Sequence, residues 1–419
     1  MNILLLSTYP TILPRHGGQI RVQHIAHYLR LQGHKVRIVS LCEPTHSQYE
    51  INDIKISKND LAKSPYSSFA YDYATSLLCT QEPYFSRLKS RIIDFNPQVI
   101  FIEQSWLYPL YQALYTSLEV NKRPILVYSS HNIEYEAKQE LLECLDKADE
   151  TLISAIRHQE EQLCLNADYV IACTQSDADK LQKMGAKDVS ICPNGVDRHL
   201  TDLDSMKTLK QKLNGFQFAL FVGSAHIPNA LGFWNMLSGN LAFLKPNQKI
   251  IVAGSVSYIL EQYMPKEADM ALLINKEKLI ILGEVSEILL QCLLKQASAI
   301  LLPITNGGGS NLKTAEAIVA NRHVIATNTA IRGFEFAKQL SNFSVVKTQE
   351  EFIKAIQQAF TQKIKTISKD EQKQRDTLYW GITLKPLGEL VGRIAVKLGE
   401  FALPPVDKMS DSADTQDKK

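Results

Sequence analysis

Residues 303–327, PITNGGGSNLKTAEAIVANRHVIAT, have the types and spacing to hold an anion. An apolar strand ends at Pro303. Three glycines follow, then Ser310, then a helix carrying Leu312, Ala315, Glu316 and Val319 on helical spacing. Gly308 and Gly309 let the backbone approach a ligand closely, and the free N–H groups of a first helical turn favour a diphosphate. Ser310 is the expected N-cap. Lys313 falls in the first turn, where the helix dipole opposes a cation unless an anion neutralises it. Glu316 lies one turn further on, beside Ala315 and Ala317. Its carboxylate can accept two hydroxyl hydrogen bonds, as a ribose diol requires. The plain alternative is a tight turn followed by a surface lysine and a solvated glutamate.

Such a loop needs a strand behind it and a helix ahead of it, and the chain supplies that unit repeatedly. Residues 3–6 read as a buried strand, Gly17 and Gly18 as a loop, and Ile20, Ile25, Ala26 and Leu29 as a helix face. Gly33 ends that helix, and residues 36–39 form the next strand. Further strands are expected at 99–102, 125–128 and 169–172, with one long helical stretch over 134–166. PNGVD at 193–197 breaks the pattern with turn chemistry, and the polar stretch 198–214 reads as a connection. A second alternation starts at 218–222 and continues with strands at 250–253, 279–282, 299–302 and 324–326. The fold class is therefore α/β, with two doubly wound parallel-sheet domains in tandem. Ligands of such sheets bind outside the carboxyl ends of the strands, here in a cleft between the domains. The expected division is 1–197, 198–371, a crossover helix over 372–403 that returns to the first domain, and a disordered tail over 404–419.

Bulk properties narrow the classes. A chain of 419 residues exceeds one ordinary core and suits two domains. The formal net charge of +2 gives no electrostatic reason to expect nucleic acid as a partner. The seven cysteines are scattered without a CxxC pair, as reduced thiols in a cytoplasmic protein would be. The first apolar run lacks a basic n-region and reads as a strand, and no run has the length of a membrane span. A cytoplasmic location is expected, with peripheral membrane contact left open.

Taken in order, these segments resemble the GT4-like glycosyltransferases of the GT-B fold, the branch carrying GGG[ST]xLKxxEA. GGQIRVQHIAHYLRLQGHKVRIVS, HNIEYE at 131–136, PNGVD, FVGSAHIPNALGFW at 221–234 and GEVSEILLQCLLKQASAILLP extend the likeness over nearly the whole chain. The resemblance implies two Rossmann-like domains facing a cleft and transfer of a sugar from a nucleotide-diphosphate donor to an acceptor hydroxyl. It implies a retaining outcome, in polysaccharide or glycoconjugate synthesis. Gly17 and Gly18 would face the donor diphosphate and acceptor, and His131 would approach the transferred sugar as a catalytic residue. Gly223 and Ser224 would lie near the phosphates. Ser310, Asn311 and Leu312 would offer amides, Lys313 would neutralise leaving-group charge, and Glu316 would hold the ribose. No metal and no cofactor beyond the nucleotide sugar is implied, and the acceptor is a sugar, a lipid-linked group or a protein.

Two departures bear on this reading. Many members carry a glutamate eight residues before the one equivalent to Glu316, and this chain has Gly308 there. The usual Arg and Lys after the second domain's first strand are absent from SAHIPNALGFW, which leaves Lys313 and Arg332 as the nearest candidates for positive charge. A nucleotide-sugar 2-epimerase and a non-catalytic nucleotide-sugar-binding protein are the alternatives. A nicotinamide dehydrogenase fits less well, because Gly17-Gly18 lacks GxGxxG spacing.

Overall fold

The computed structural model describes residues 1–44, 48–66, 70–198, 202–265, 269–306 and 310–399. The chain divides into two compact units, Met1–Asn194 with Trp380–Lys419, and Gly195–Tyr379. The expected tail at 404–419 lies outside the described residues.

The first unit holds a parallel sheet of β1 (Asn2–Ser7), β2 (Lys35–Cys42), β3 (Ile54–Lys55), β4 (Val99–Glu103), β5 (Ile125–Ser129), β6 (Tyr169–Ala172) and β7 (Val189–Ile191). Their order is β3-β2-β1-β4-β5-β6-β7. The second unit holds β8 (Gln217–Val222), β9 (Gln248–Ala253), β10 (Leu279–Gly283), β11 (Ala299–Leu302), β12 (His323–Thr327) and β13 (Phe343–Val346), in the order β10-β9-β8-β11-β12-β13. Both are doubly wound, and the order reverses beside the unit's first strand, between β1 and β4 and between β8 and β11. Those switch points open crevices at the strand carboxyl ends.

Continuous apolar runs make these strands because both sheet faces are covered. In β8, Phe218 and Leu220 pack with Ile251, Ile300 and Leu302 on one face. Ala219 and Phe221 pack with Ile250, Val252 and Leu301 on the other. In the first unit, Leu4 and Leu6 share a core with Ile100, Ile102 and Leu126.

Several expected elements are corrected. The stretch 134–166 is two helices, Glu134–Cys144 and Glu150–Asn166. Asp146 adopts a left-handed φ of 53°, and the Asp149 side chain caps the second helix by accepting from the Leu152 N–H. The connection 198–214 contains a helix, Leu203–Leu213, started by the Asp202 cap. The single helix expected over 372–403 is three, Lys369–Asp376, Trp380–Thr383 and Lys385–Lys397. The break falls at Leu378, whose carbonyl accepts from the Val196 N–H at 2.8 Å instead of a helical donor. The helix before the break belongs to the second unit and the two after it to the first. There Lys385–Lys397 buries Leu387, Leu390, Val391 and Ile394. It crosses Tyr28 so closely that a Cβ at Gly388 would lie 2.7 Å from the phenol oxygen.

Candidate active site

In the first unit, three adjacent strands deliver side chains to one point at their carboxyl ends. Tyr9 follows β1, Glu103 closes β4, and His131 follows β5. His131 Nε2 lies 2.9 Å from Glu103 Oε2, and Nδ1 lies 3.3 Å from the Tyr9 hydroxyl. All three residues are buried. Burial lowers the His131 pKa against the opposing pull of Glu103. Burial also raises the Tyr9 phenol well above its usual value, with Glu103 adding to the effect.

The glycine pair lies at the start of helix Gly17–Leu31, which His16 caps by accepting from the Gln19 N–H. Gly17 is exposed. The space beside Gly18 is filled from within the protein, since a Cβ there would lie 2.6 Å from the Tyr9 hydroxyl. Packing of Tyr9 is thus enough to require that glycine. One turn along, the buried Arg21 donates from Nη1 to Asn194 Oδ1 at 3.0 Å. Its Nε and Nη2, and Glu103 Oε1, have no hydrogen-bond partner among the described residues. Gln104 takes a left-handed φ of 63° just past β4 and donates to Glu134 at 3.1 Å. Glu160 accepts the Glu134 N–H at 3.0 Å and the Tyr128 hydroxyl at 2.7 Å, tying helix Glu134–Cys144 to the sheet. Burial pushes the Glu134 and Glu160 carboxyls up together.

In the second unit, the loop after β11 leads to helix Leu312–Ala320. Gly308 and Gly309 lie outside the described residues. The N-cap is Asn311 and not Ser310, because the Asn311 side chain accepts from the Lys313 N–H at 3.1 Å. That cap occupies the Lys313 amide and leaves the Leu312 amide one place nearer the helix start. Lys313 and Glu316 are half-buried one turn apart. Burial lowers the Lys313 ammonium to about 8, against the pull of Glu316. Burial raises the Glu316 carboxyl to about 7, with Glu287 adding to it and Lys313 opposing.

Gly223 and Ser224 close β8 as a packed turn. The Gly223 N–H donates to the Ala253 carbonyl at 3.0 Å, and a Cβ there would lie 2.7 Å from Val256. The Ser224 carbonyl accepts from Asn229 Nδ2 at 3.0 Å. Arg332 is half-buried in the turn after β12. Among the described residues no group of three or more His, Cys, Asp or Glu could hold a metal ion, and no helix is long and apolar enough to cross a membrane.

Sequence reasoning missed Tyr9, Glu103 and Arg21. A carboxylate closing the otherwise apolar run VIFIE was the available signal for Glu103, and its pairing with His131 depends on strand order.

Residues 15–200 match the Glycosyltransferase Family 4 family. No curated protein sequence matches the chain. Sucrose-phosphate synthase from Thermosynechococcus elongatus is similar in structure, with a TM-score of 0.70 at 14% identity, over 94% of this chain and 99% of that one. Anabaena HepE in complex with UDP and glucose gives 0.66 at 15% identity, over 94% and 99%. The trehalose-6-phosphate synthase OtsA gives 0.62 at 13%, over 95% and 99%. At such identities the likeness is one of fold.

Proposed function

We propose that the chain is a GT-B glycosyltransferase of the GT4-like family and that it transfers a sugar from a nucleoside-diphosphate donor to an acceptor hydroxyl with retention of configuration. One observation carries the reading of the donor site. Lys313 and Glu316 stand together at the start of helix Leu312–Ala320, each pushed by burial toward its neutral form. A lysine there is opposed both by desolvation and by the helix dipole, and a bound diphosphate relieves both costs. The Glu316 carboxylate then takes the ribose diol.

Negative charge grows on the diphosphate as the glycosidic bond breaks. A preorganised ammonium and helix amides stabilise that charge more in the transition state than in the ground state. The acceptor hydroxyl bonds to the anomeric carbon on the leaving-group side, and its proton passes to the departing phosphate. HepE, similar in fold, is described in complex with UDP and glucose, which makes a uridine nucleotide the first donor to try. The proposal places this transfer in polysaccharide or glycoconjugate synthesis in the cytoplasm.

The test is a thermal-shift series with UDP, ADP, GDP and their glucose conjugates. A true donor raises the melting temperature by mass action, by about 2.7 kcal/mol of stability at a hundred times its Kd. Absence of any shift, with none after Glu316→Gln either, removes the donor site from this helix.

A further inference from the structure

Helix Leu312–Ala320 carries Lys313 and Glu316 and is only nine residues long, so the ties at its two ends decide where those side chains stand. Its front is held by the buried Thr314, whose Oγ1 donates to the Ala330 carbonyl at 2.6 Å. Its back is held by a residue far along the chain. Arg375, 1% exposed, donates from Nη1 to the carbonyl of Ile318 in the last turn. Nη2 donates to the Ser341 carbonyl at 3.1 Å, just ahead of β13, and to Glu371 Oε1 at 2.6 Å. Nε donates to the same carboxylate oxygen at 3.2 Å, and that oxygen also accepts the Ser341 N–H at 3.1 Å. One planar guanidinium thus joins three elements: helix Leu312–Ala320, the entry to β13, and helix Lys369–Asp376.

Stability alone is a poor account of this arrangement. Glu371 lies one turn before Arg375 on the same helix, so the ion pair is complete without reaching to another element. A buried ion pair commonly adds little over apolar packing of the same volume. What the guanidinium fork adds is geometry. The last turn of a helix leaves carbonyls without helical donors, and a cation placed there also suits the helix dipole. We propose that Arg375 and Glu371 are positioning residues for the transfer reaction, holding the back of helix Leu312–Ala320 so that Lys313 and Glu316 meet the donor in register. This rests on the donor-site reading above. Both residues act through the helix and not on the donor itself.

The experiment uses the full chain with Arg375→Met and Glu371→Gln combined, which removes both charges and strands neither in the interior. Turnover is expected to fall by about 10-fold or more, while the Kd for UDP rises by less than that, because a small misplacement is felt most where charge grows in the transition state. Amide hydrogen exchange of the nucleotide-free protein is expected to quicken over residues 312–320 while β8 and β11 keep their wild-type protection. A merely stabilising role would instead lower protection across the whole second unit and leave the turnover of the folded fraction unchanged. Arg375→Lys keeps the charge and loses the fork. It is expected to melt as wild type does and still lose turnover, and it carries the test if the double variant fails to fold. Wild-type turnover in either folded variant, or wild-type exchange over 312–320 in the double variant, overturns the proposal while the donor-site reading stands. If the unaltered chain neither binds UDP nor transfers a sugar from any donor, the donor-site reading has failed and the positioning role falls with it.

Discussion

At the residue scale, Lys313 and Glu316 are two charges whose surroundings disfavour charge. The folded protein holds Lys313 near 8, below the usual 10.5 of a lysine. Between those values the unfolded chain keeps a proton that the folded chain has released, so stability rises with pH across that window. Below about pH 8 the full penalty is present, and Lys313→Met is expected to raise the melting temperature of the nucleotide-free protein at pH 7. Melting curves from about pH 7 to 10 test this, because wild type should gain on the variant as pH rises. In catalysis the same substitution works in the opposite sense. Turnover is expected to fall on the order of 100-fold while donor binding changes less, as befits a group that meets charge growing in the transition state. Full activity in Lys313→Met moves the charge to another residue such as Arg332. Glu316 gives a paired expectation. Its carboxyl ionises near 7, so nucleoside-diphosphate affinity should rise with pH through that value. Glu316→Gln should lose that dependence and about 1.5–3 kcal/mol of binding, read by titration calorimetry with UDP. These two residues were legible in the sequence because LKxxE places them one helical turn apart. The cap was misread by one position, since Ser and Asn are both good caps and only the backbone φ and ψ choose between neighbours.

At the element scale, the second unit depends on close approaches that only glycine allows. Gly232 lies within helix Ile227–Met236, and a Cβ there would sit 2.2 Å from the Pro303 carbonyl oxygen. That carbonyl is backbone and cannot rotate away, so Gly232→Ala must part the helix from the end of β11. The cost is expected to be about 1–3 kcal/mol of stability, with weaker donor binding because the same strand end leads into the glycine loop. Urea unfolding followed by UDP titration would show both, and an unchanged midpoint would mean that the loop yields freely. The central strands were legible because each is apolar on both faces. β3, β7 and β13 were not, being short edge strands of two to four residues with mixed character. The split of the stretch 134–166 was missed because apolar spacing continues across it, and the breaking signal is only the pair Asp146 and Asp149.

At the scale of the whole molecule, the chain leaves its first unit at Asn194, builds the second, and returns at Trp380. The first unit is therefore incomplete until its last helix is made. Trp380 stacks on His24 at 4.5 Å, Arg393 meets Asp188 at 3.1 Å, and Leu390 is fully buried. Leu390→Asp puts an unpaired carboxylate in that core and removes the leucine packing, an expected loss of about 3–5 kcal/mol. The second unit has its own cores on both faces of its sheet, so its stability should be little changed. The three tryptophans separate the outcomes. Trp106 and Trp380 belong to the first unit, and Trp234 to the second, where its indole N–H donates to the Leu260 carbonyl at 2.8 Å. With 5-fluorotryptophan in the full chain, 19F spectra across a urea series should show the Trp106 and Trp380 signals reaching their unfolded positions earlier in the variant. The Trp234 signal should keep its wild-type midpoint and its response to UDP, while sugar transfer is lost. If all three signals move together, the last helix stabilises the molecule as one cooperative body, and the two units are not separate in folding.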